Sequence, residues 1–378
     1  MALPLLNADT VVAYLRDCGL AELDPDKQVQ VRSLSRRNHN LAIEIGGRTV
    51  WLIKQIQHHT PEVVASLARE AYCYYAAENG GPLAPLHSLM PRCAYFDSAH
   101  SILVIGFLEG LNAADAHERA GPFETHLPKE LSGVLGRVLA RVHRAPLPSG
   151  LPRSLPWVLQ PLEERWRFSA RSSFLALFHT DAAVARSLAE LRESWRANTF
   201  IHGDARPENF ILSSTSEVRL VDWELADIGD AAWDCANVMQ YYWTRWISIG
   251  WPTPAAWNAL TRALQNLWTE YNEGSQQPLA RVTRFTGARL IQTAYEHLAS
   301  AGRITVVVDR LVRLASLLLL QTDRALRGFE EHRAEHLRSH LRNAAPDSHS
   351  LARQRAYRRS RTARCAGLPH SLATVRDL

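Results

Sequence analysis

Between the apolar runs Phe200-Ile201 and Phe210-Ile211-Leu212 the chain places His202, Asp204, Arg206, Glu208 and Asn209. Few folds tolerate such a segment, because each buried polar group left unpaired costs about 1–3 kcal/mol. The flanking runs read as short strands, and the polar residues between them as a loop that must be rigid and whose charges must be met from outside. A second strand-like run, "RLVDWE", follows and carries Asp222 at its end.

The chain has 378 residues, enough for two domains or lobes and a full core. An apolar fraction of 46% with 21% charged residues is that of an ordinary soluble globular protein. The five cysteines are few, odd in number and never arranged as CxxC, which suits reduced thiols in a cytoplasm and argues against zinc or a disulfide framework. Asp9 interrupts the apolar start before a signal-peptide core can form, and the apolar stretch from Ile304 carries Asp309, Arg310 and Arg313. No membrane association is expected. The net charge is +5, with 40 arginines to 3 lysines. Against that arginine bias Lys54, in "VWLIKQ", stands out as chosen for a compact ammonium.

Asn7 to Gly19 reads as a short helix, with Asp9 as its cap and Gly19 as its stop. "NLAIEIGGRTVWLIKQ" reads as a hairpin about Gly46-Gly47, with Val50, Leu52 and Lys54 on one strand face and Trp51 and Ile53 on the other. "TPEVVASLAREAYCYYAAENGG" reads as a helix capped by Thr60 and ended by Asn79-Gly80, with Glu70 inside it. "SILVIGFLEG" reads as a buried strand. The stripe Leu131, Val134, Leu135, Val138, Leu139 and Val142 marks a helix, and long helical segments are expected from about Leu159 to Ala197 and from Ala255 to Leu341. The aromatic run "WDCANVMQYYWTRWISIGW" has core spacing; a substrate cage is the sharper alternative.

Phosphoryl transfer from ATP needs a cation on the phosphates, Mg²⁺ on carboxylate and amide oxygens, and a carboxylate at the acceptor hydroxyl. The template H-R-D-x-x-x-x-N has its Asp-to-Asn spacing here in Asp204 and Asn209, after His202-Gly203. Asp222 stands where the second metal carboxylate is expected. Lys54 on a strand and Glu70 on the next helix supply the remaining pair.

With H-G-D at 202–204, "LARVHR" at 139–144 and "GDAAWDCANV" at 229–238, the chain resembles the aminoglycoside phosphotransferase and choline kinase branch of the protein-kinase-like fold. The resemblance covers roughly residues 30–325. It implies an α+β, bilobal fold with a small antiparallel β-sheet N-lobe and a mainly helical C-lobe. The expected regions are 1–108, with the ATP-binding sheet and one helix; 109–342, helical, with the catalytic and metal-binding loops; and 343–378, a basic tail that reads as disordered. It further implies Asp204 as the catalytic carboxylate, Asn209 and Asp222 on Mg²⁺, Lys54 with Glu70 on the α/β-phosphates, and adenine at the backbone near Phe107 and Leu108. His202 and Asp234 would support the loop, and Asp230 would be structural.

One departure is the segment "SLSRRNHNLAI", 33–43, which lacks the family's usual glycines. Asn40 matches a polar position there, and Arg36 and Arg37 could meet phosphate oxygens in place of backbone amides. The segment is similar to that expected of the kinases of class V lanthipeptide and related clusters, which phosphorylate Ser or Thr of a precursor peptide before a lyase eliminates phosphate. A basic chain without an acidic run suits a polycationic aminoglycoside poorly. The acceptor readings are therefore a peptide Ser or Thr, with precursor peptide and lyase as partners, and a small-molecule alcohol such as an amino alcohol, sugar or antibiotic. A catalytically inactive binding module is the rival from another class. Nucleic-acid binding through the arginine tail is disfavoured, since an unstructured tail in an arginine-biased chain explains it more simply.

Overall fold

The computed structural model describes residues 5–20, 29–34, 39–78, 80–121, 129–161, 181–213, 217–248, 253–272 and 278–330, with side chains to 327. Arg36, Arg37 and the tail from 343 lie outside the described residues. The chain gathers into two compact units, the first drawn from residues 1–119, 137–153 and 197–234, the second from the remainder.

In the first unit, helix α1 (Ala8–Asp17) precedes β1 (Val29–Ser33), β2 (His39–Ile45) and β3 (Arg48–Gln55). Helix α2 (Pro61–Glu78) then leads to β4 (Cys93–Asp97) and β5 (Ile102–Gly106). The five strands form one antiparallel sheet in the order β1-β2-β3-β5-β4. Alternation decides its faces: Leu41, Ile43, Ile45, Trp51, Ile53, Ile102 and Val104 are buried together with Val11 and Leu15 of α1. The β2–β3 turn puts both Gly46 (φ 57°) and Gly47 (φ 80°) in the left-handed region, which glycine enters without steric cost.

The cap of α1 differs from expectation. Asn7, not Asp9, is the N-cap: its carboxamide oxygen accepts from the N–H groups of Asp9 (2.9 Å) and Thr10 (3.0 Å), while Thr10 Oγ1 accepts from the Asn7 N–H. Asp9 lies inside the first turn, where its charge faces the positive end of the helix. Thr60 caps α2 as expected, its Oγ1 accepting from Val63 N–H at 3.4 Å.

Short strands β6 (Leu111–Asn112), β8 (Phe210–Leu212) and β9 (Val218–Leu220) form a second sheet, and β7 (Thr199–Ile201) pairs with β10 (Asp227–Gly229). Helix α3 (Ala113–Arg119) follows β6, and α4 (Lys129–His143) carries the expected apolar stripe. The polar loop at 202–209 thus leaves one ribbon and enters another, as does the loop at 221–226. Strands at both ends of each loop fix where its side chains begin and end.

The second unit is helical: α5 (Ala182–Glu193), most of α6 (Ala231–Ser248), α7 (Pro254–Asn272), α8 (Leu279–Ala301), α9 (Val306–Leu320) and α10 (Thr322–Glu330). The helical stretch expected over Ala255 to Leu341 is divided among α7 to α10 as far as Glu330, and residues 331–341 lie outside the described residues. Gly302, at φ 64°, ends α8, and Gln321 ends α9 with its N–H on the Leu317 carbonyl. Of the segment expected from Leu159 to Ala197, residues 162–180 lie outside the described residues. Tyr242, Trp243 and Trp246 are buried, and Trp246 packs edge-on to Trp257 at 5.4 Å, so this part of the aromatic run is core. Among the described residues no helix is long and apolar enough to cross a membrane.

Candidate active site

All the described candidate residues fall within the first unit. Lys54 sits on β3, a central strand, with Asn40 opposite it on β2 and Leu103 opposite on β5. Its ammonium donates to Glu70 Oε1 at 2.7 Å and also contacts Asp222 Oδ1. Burial opposes the charge on Lys54, but the two carboxylates outweigh it and hold the pKa above the ordinary lysine value. Glu70, only 1% exposed, also accepts from the hydroxyl of Tyr74 at 2.7 Å. Burial pushes the Glu70 carboxyl up, and Lys54 pulls against that push. The ammonium, the carboxylate and the phenol are thereby locked in one geometry, with Tyr74 one helical turn beyond Glu70.

The polar loop is braced from beneath. Asp234, in the first turn of α6 and fully buried, accepts the N–H of His202 at 2.7 Å and of Gly203 at 2.9 Å. His143, at the end of α4, meets the same carboxylate at 3.1 Å. Trp233 Nε1–H donates to the Gly203 carbonyl, and Asp230 accepts from Ala232 N–H at the start of α6. His202 is buried against Trp223 and reaches the Val221 carbonyl through Nε2 at 2.9 Å, while Val221 N–H donates to the Asn209 carbonyl at 3.0 Å. These bonds tie the 202–209 loop to the 221–226 loop, and Phe200 stacks on Trp223 beneath them.

The backbone explains why glycine occupies position 203. Its φ is +81°, and a Cβ there would lie 2.1 Å from the Leu225 carbonyl oxygen. Any side chain meets both left-handed strain and a backbone collision. Gly203→Ala should therefore lower the unfolding midpoint and slow turnover, by displacing one loop against the other. A variant with wild-type midpoint and rate would show that the loops are not braced in this way.

Asp204 opens the next turn. Arg206 brings Nε to Asp204 Oδ2 at 3.0 Å and Nη2 to the same oxygen at 2.8 Å. Asn209 is buried and donates its side-chain N–H to the Asp204 carbonyl at 2.9 Å, which assigns the carboxamide nitrogen to the loop and leaves its oxygen as acceptor. Asp222 has φ 62°, ψ 54°, a left-handed conformation that non-glycine residues adopt sparingly and that recurs at functional sites. Burial raises the Asp222 pKa and the ammonium of Lys54 lowers it; the net direction is down, so the carboxylate is ionised. Hard oxygen donors from one carboxylate and one carboxamide suit Mg²⁺, which keeps waters and phosphate oxygens for its other positions.

Phe107 and Leu108 follow β5, and the Phe107 N–H is already committed to the Val50 carbonyl at 2.8 Å.

Over residues 30–273 the sequence matches the phosphotransferase enzyme family. The chain belongs to that family. Similar solved structures include the choline kinase LicA from Streptococcus pneumoniae, 16% identical, covering 86% of this chain and 100% of that one with a TM-score of 0.49. The macrolide 2'-phosphotransferase MphH from Brachybacterium faecium is 15% identical over 82% of this chain and 98% of its own, at 0.46. Spectinomycin phosphotransferase APH(9)-Ia, solved with ADP and spectinomycin, is 14% identical over 87% and 95%, at 0.46. The α+β expectation of an antiparallel sheet followed by a mostly helical part holds for this phosphotransferase.

Three contributors escaped the sequence reading. Tyr74 was legible as the residue four beyond Glu70. Arg206 stands inside the 202–209 loop but without an assigned partner. His143 lay in the quoted "LARVHR", and its partner is 91 residues away.

Proposed function

We propose that this phosphotransferase uses ATP and Mg²⁺ to phosphorylate a hydroxyl group. The observation that carries the reading is the junction of Lys54 with both Glu70 and Asp222, beside a loop that presents Asp204 and Asn209. Lys54, oriented by Glu70, contacts the α- and β-phosphates, with Asn40 beside it and Arg36 and Arg37 as further phosphate contacts. The backbone at Phe107 and Leu108 meets adenine. Asn209 and Asp222 would hold Mg²⁺, which when bound neutralises charge on the phosphate oxygens. Asp204 orients the acceptor hydroxyl and takes its proton; the acceptor oxygen bonds to the γ-phosphorus as the bond to the β–γ bridging oxygen breaks, and ADP leaves. His202 and Asp234 hold the loop in register.

The acceptor we propose is a Ser or Thr hydroxyl of a precursor peptide, with elimination by a separate lyase as the following step. Supporting this are the glycine-free 33–43 segment and a net charge of +5 with no acidic run for a polycation. The test is transfer of labelled phosphate from ATP to a Ser/Thr-containing precursor peptide, followed by mass spectrometry. Phosphopeptide formation supports the reading. Efficient turnover of choline, a sugar or an aminoglycoside, with none of the peptide, overturns the acceptor while leaving the phosphotransfer chemistry standing.

A further inference from the structure

Within the second unit, α5, α8, α9 and α10 border a cleft of about 680 Å³, a volume that suits a small ligand or a short peptide. Four arginines line it, Arg186 on α5, Arg284 on α8, and Arg324 and Arg327 on α10, against two carboxylates, Glu190 and Asp323. One side is a fixed wall. Arg284 donates through Nη2 to Glu190 Oε2 at 2.6 Å and to Ser187 Oγ at 3.1 Å, and the Ser187 hydroxyl donates to the Leu319 carbonyl at 3.3 Å. These bonds join α5, α8 and the end of α9.

The other three arginines have no such task. Glu190 is taken by Arg284, and Asp323 sits in the first turn of α10, where its charge faces the positive end of the helix. The carbonyls that end α9 are met without them: Leu317 by the Gln321 N–H at 2.8 Å, Leu318 by the Thr322 hydroxyl at 2.8 Å, and Leu319 by Ser187. Arg324 gives one N–H to Gln321 Oε1 at 3.0 Å, and among the described residues neither it nor Arg186 nor Arg327 pairs with a carboxylate. Arg324 and Arg327 also stand three residues apart on one face of α10, a like-charge spacing that weakens a helix. Three exposed cations thus line one cleft at a cost to the helix that carries two of them, a cost that a bound anion offsets.

We propose that this cleft is a binding site for an acidic peptide segment, whose carboxylates pair with Arg186, Arg324 and Arg327. A guanidinium fork matches the two-oxygen edge of a carboxylate. Leu320, 41% exposed at the rim, gives an apolar side chain between those carboxylates a surface to cover. Glu190 and Asp323 offer acceptors to peptide N–H groups, whereas they would repel a bare polyanion. No aromatic ring is among the lining residues, so single-stranded nucleic acid finds no stacking platform. The chain's own 343–378 sequence is basic and has the wrong charge to fill the cleft. The proposal is independent of the phosphotransfer reading, since no candidate catalytic or nucleotide-binding residue lines this cleft.

The test needs no nucleotide. Fluorescence anisotropy with a labelled peptide of about eight Glu and Leu residues, and with its Gln-for-Glu counterpart, is measured on the full wild-type chain and on two double variants. Arg186→Ala with Arg327→Ala alters the cleft; Arg262→Ala with Arg303→Ala removes the same charge from exposed positions outside it. The expected result is that the wild type and the outside variant prefer the acidic peptide to the Gln peptide, while the cleft variant binds it about 10-fold more weakly, as the loss of two ion pairs gives. Both cleft residues are exposed and Arg327 has Arg324 as a like-charged neighbour, so the unfolding midpoint of the cleft variant should be no lower than that of the wild type. Should the double variant unfold early, Arg327→Ala alone is read in the same way. Equal affinity in the cleft variant and wild type, equal weakening in both double variants, or no preference for the acidic peptide overturns the proposal. Tighter binding of an oligothymidylate than of the acidic peptide, lost in the cleft variant, assigns the cleft to nucleic acid and overturns it as well.

Discussion

Replacing Asp204 by Asn abolishes turnover, a fall of roughly 10³-fold, while Mg·ATP binding is retained within a few-fold. The carboxamide is isosteric and still offers an oxygen to Arg206, so the loop keeps its shape, but it cannot take a proton from the acceptor, a contribution of about 10²–10⁴ in rate. None of the contacts that join Lys54 to Glu70 and Asp222 passes through the Asp204 side chain. Steady-state kinetics alongside calorimetry with ATP separate the two effects. Wild-type turnover in Asp204→Asn would remove this residue from the mechanism, and joint loss of binding and turnover would make it a structural residue.

Replacing Asp234 by Ala damages fold and function together. It leaves the N–H groups of His202 and Gly203 without their acceptor and strips His143 of its carboxylate, all within a buried region. An orphaned buried donor costs about 1–3 kcal/mol, so a loss of roughly 3–5 kcal/mol is expected, a drop in midpoint on the order of 10 °C for a chain of this size. Asp234→Asn should fall between, since its carboxamide oxygen can accept one N–H while its own NH₂ opposes the other. Thermal denaturation of both variants checks the order. An Asp234→Ala protein as stable as wild type would mean that the loop is held from elsewhere.

The pairing of Lys54 with Glu70 was readable because strand alternation fixes the face of one and a well-capped helix carries the other. The register that sets Asn40 opposite Lys54 was not. The Gly46-Gly47 turn pairs Ile45 with Arg48, and simple extension of that ladder would bring His39 to Lys54; a shift between Ile43 and Glu44 moves the pairing by one residue. Bulges of this kind leave no periodic trace in sequence. Asp222 was placed by spacing, but its left-handed backbone depends on bonds from Val221 to both His202 and Asn209. Asn7 outcompeted Asp9 as cap through a reciprocal bond with Thr10, a pattern that becomes visible only when the side chain three residues on is considered. Arg206 and His143 show why: a polar side chain in an arginine-rich chain carries little signal until its partner is known.

The central claim is that one site holds Mg²⁺ and ATP through Asp222 and its neighbours. It is tested most directly by the unfolding midpoint of the purified chain with ATP, Mg²⁺, both or neither, in wild type and Asp222→Asn. A ligand that binds only the folded state stabilises it by RT ln(1 + [L]/Kd), close to 2.7 kcal/mol at about 100-fold Kd. The account predicts a rise with ATP and Mg²⁺ together that exceeds the rise with either alone, and loss of the metal-dependent part in Asp222→Asn. A midpoint unmoved by any nucleotide, or an Asp222→Asn protein that keeps the full metal-dependent rise, would contradict it.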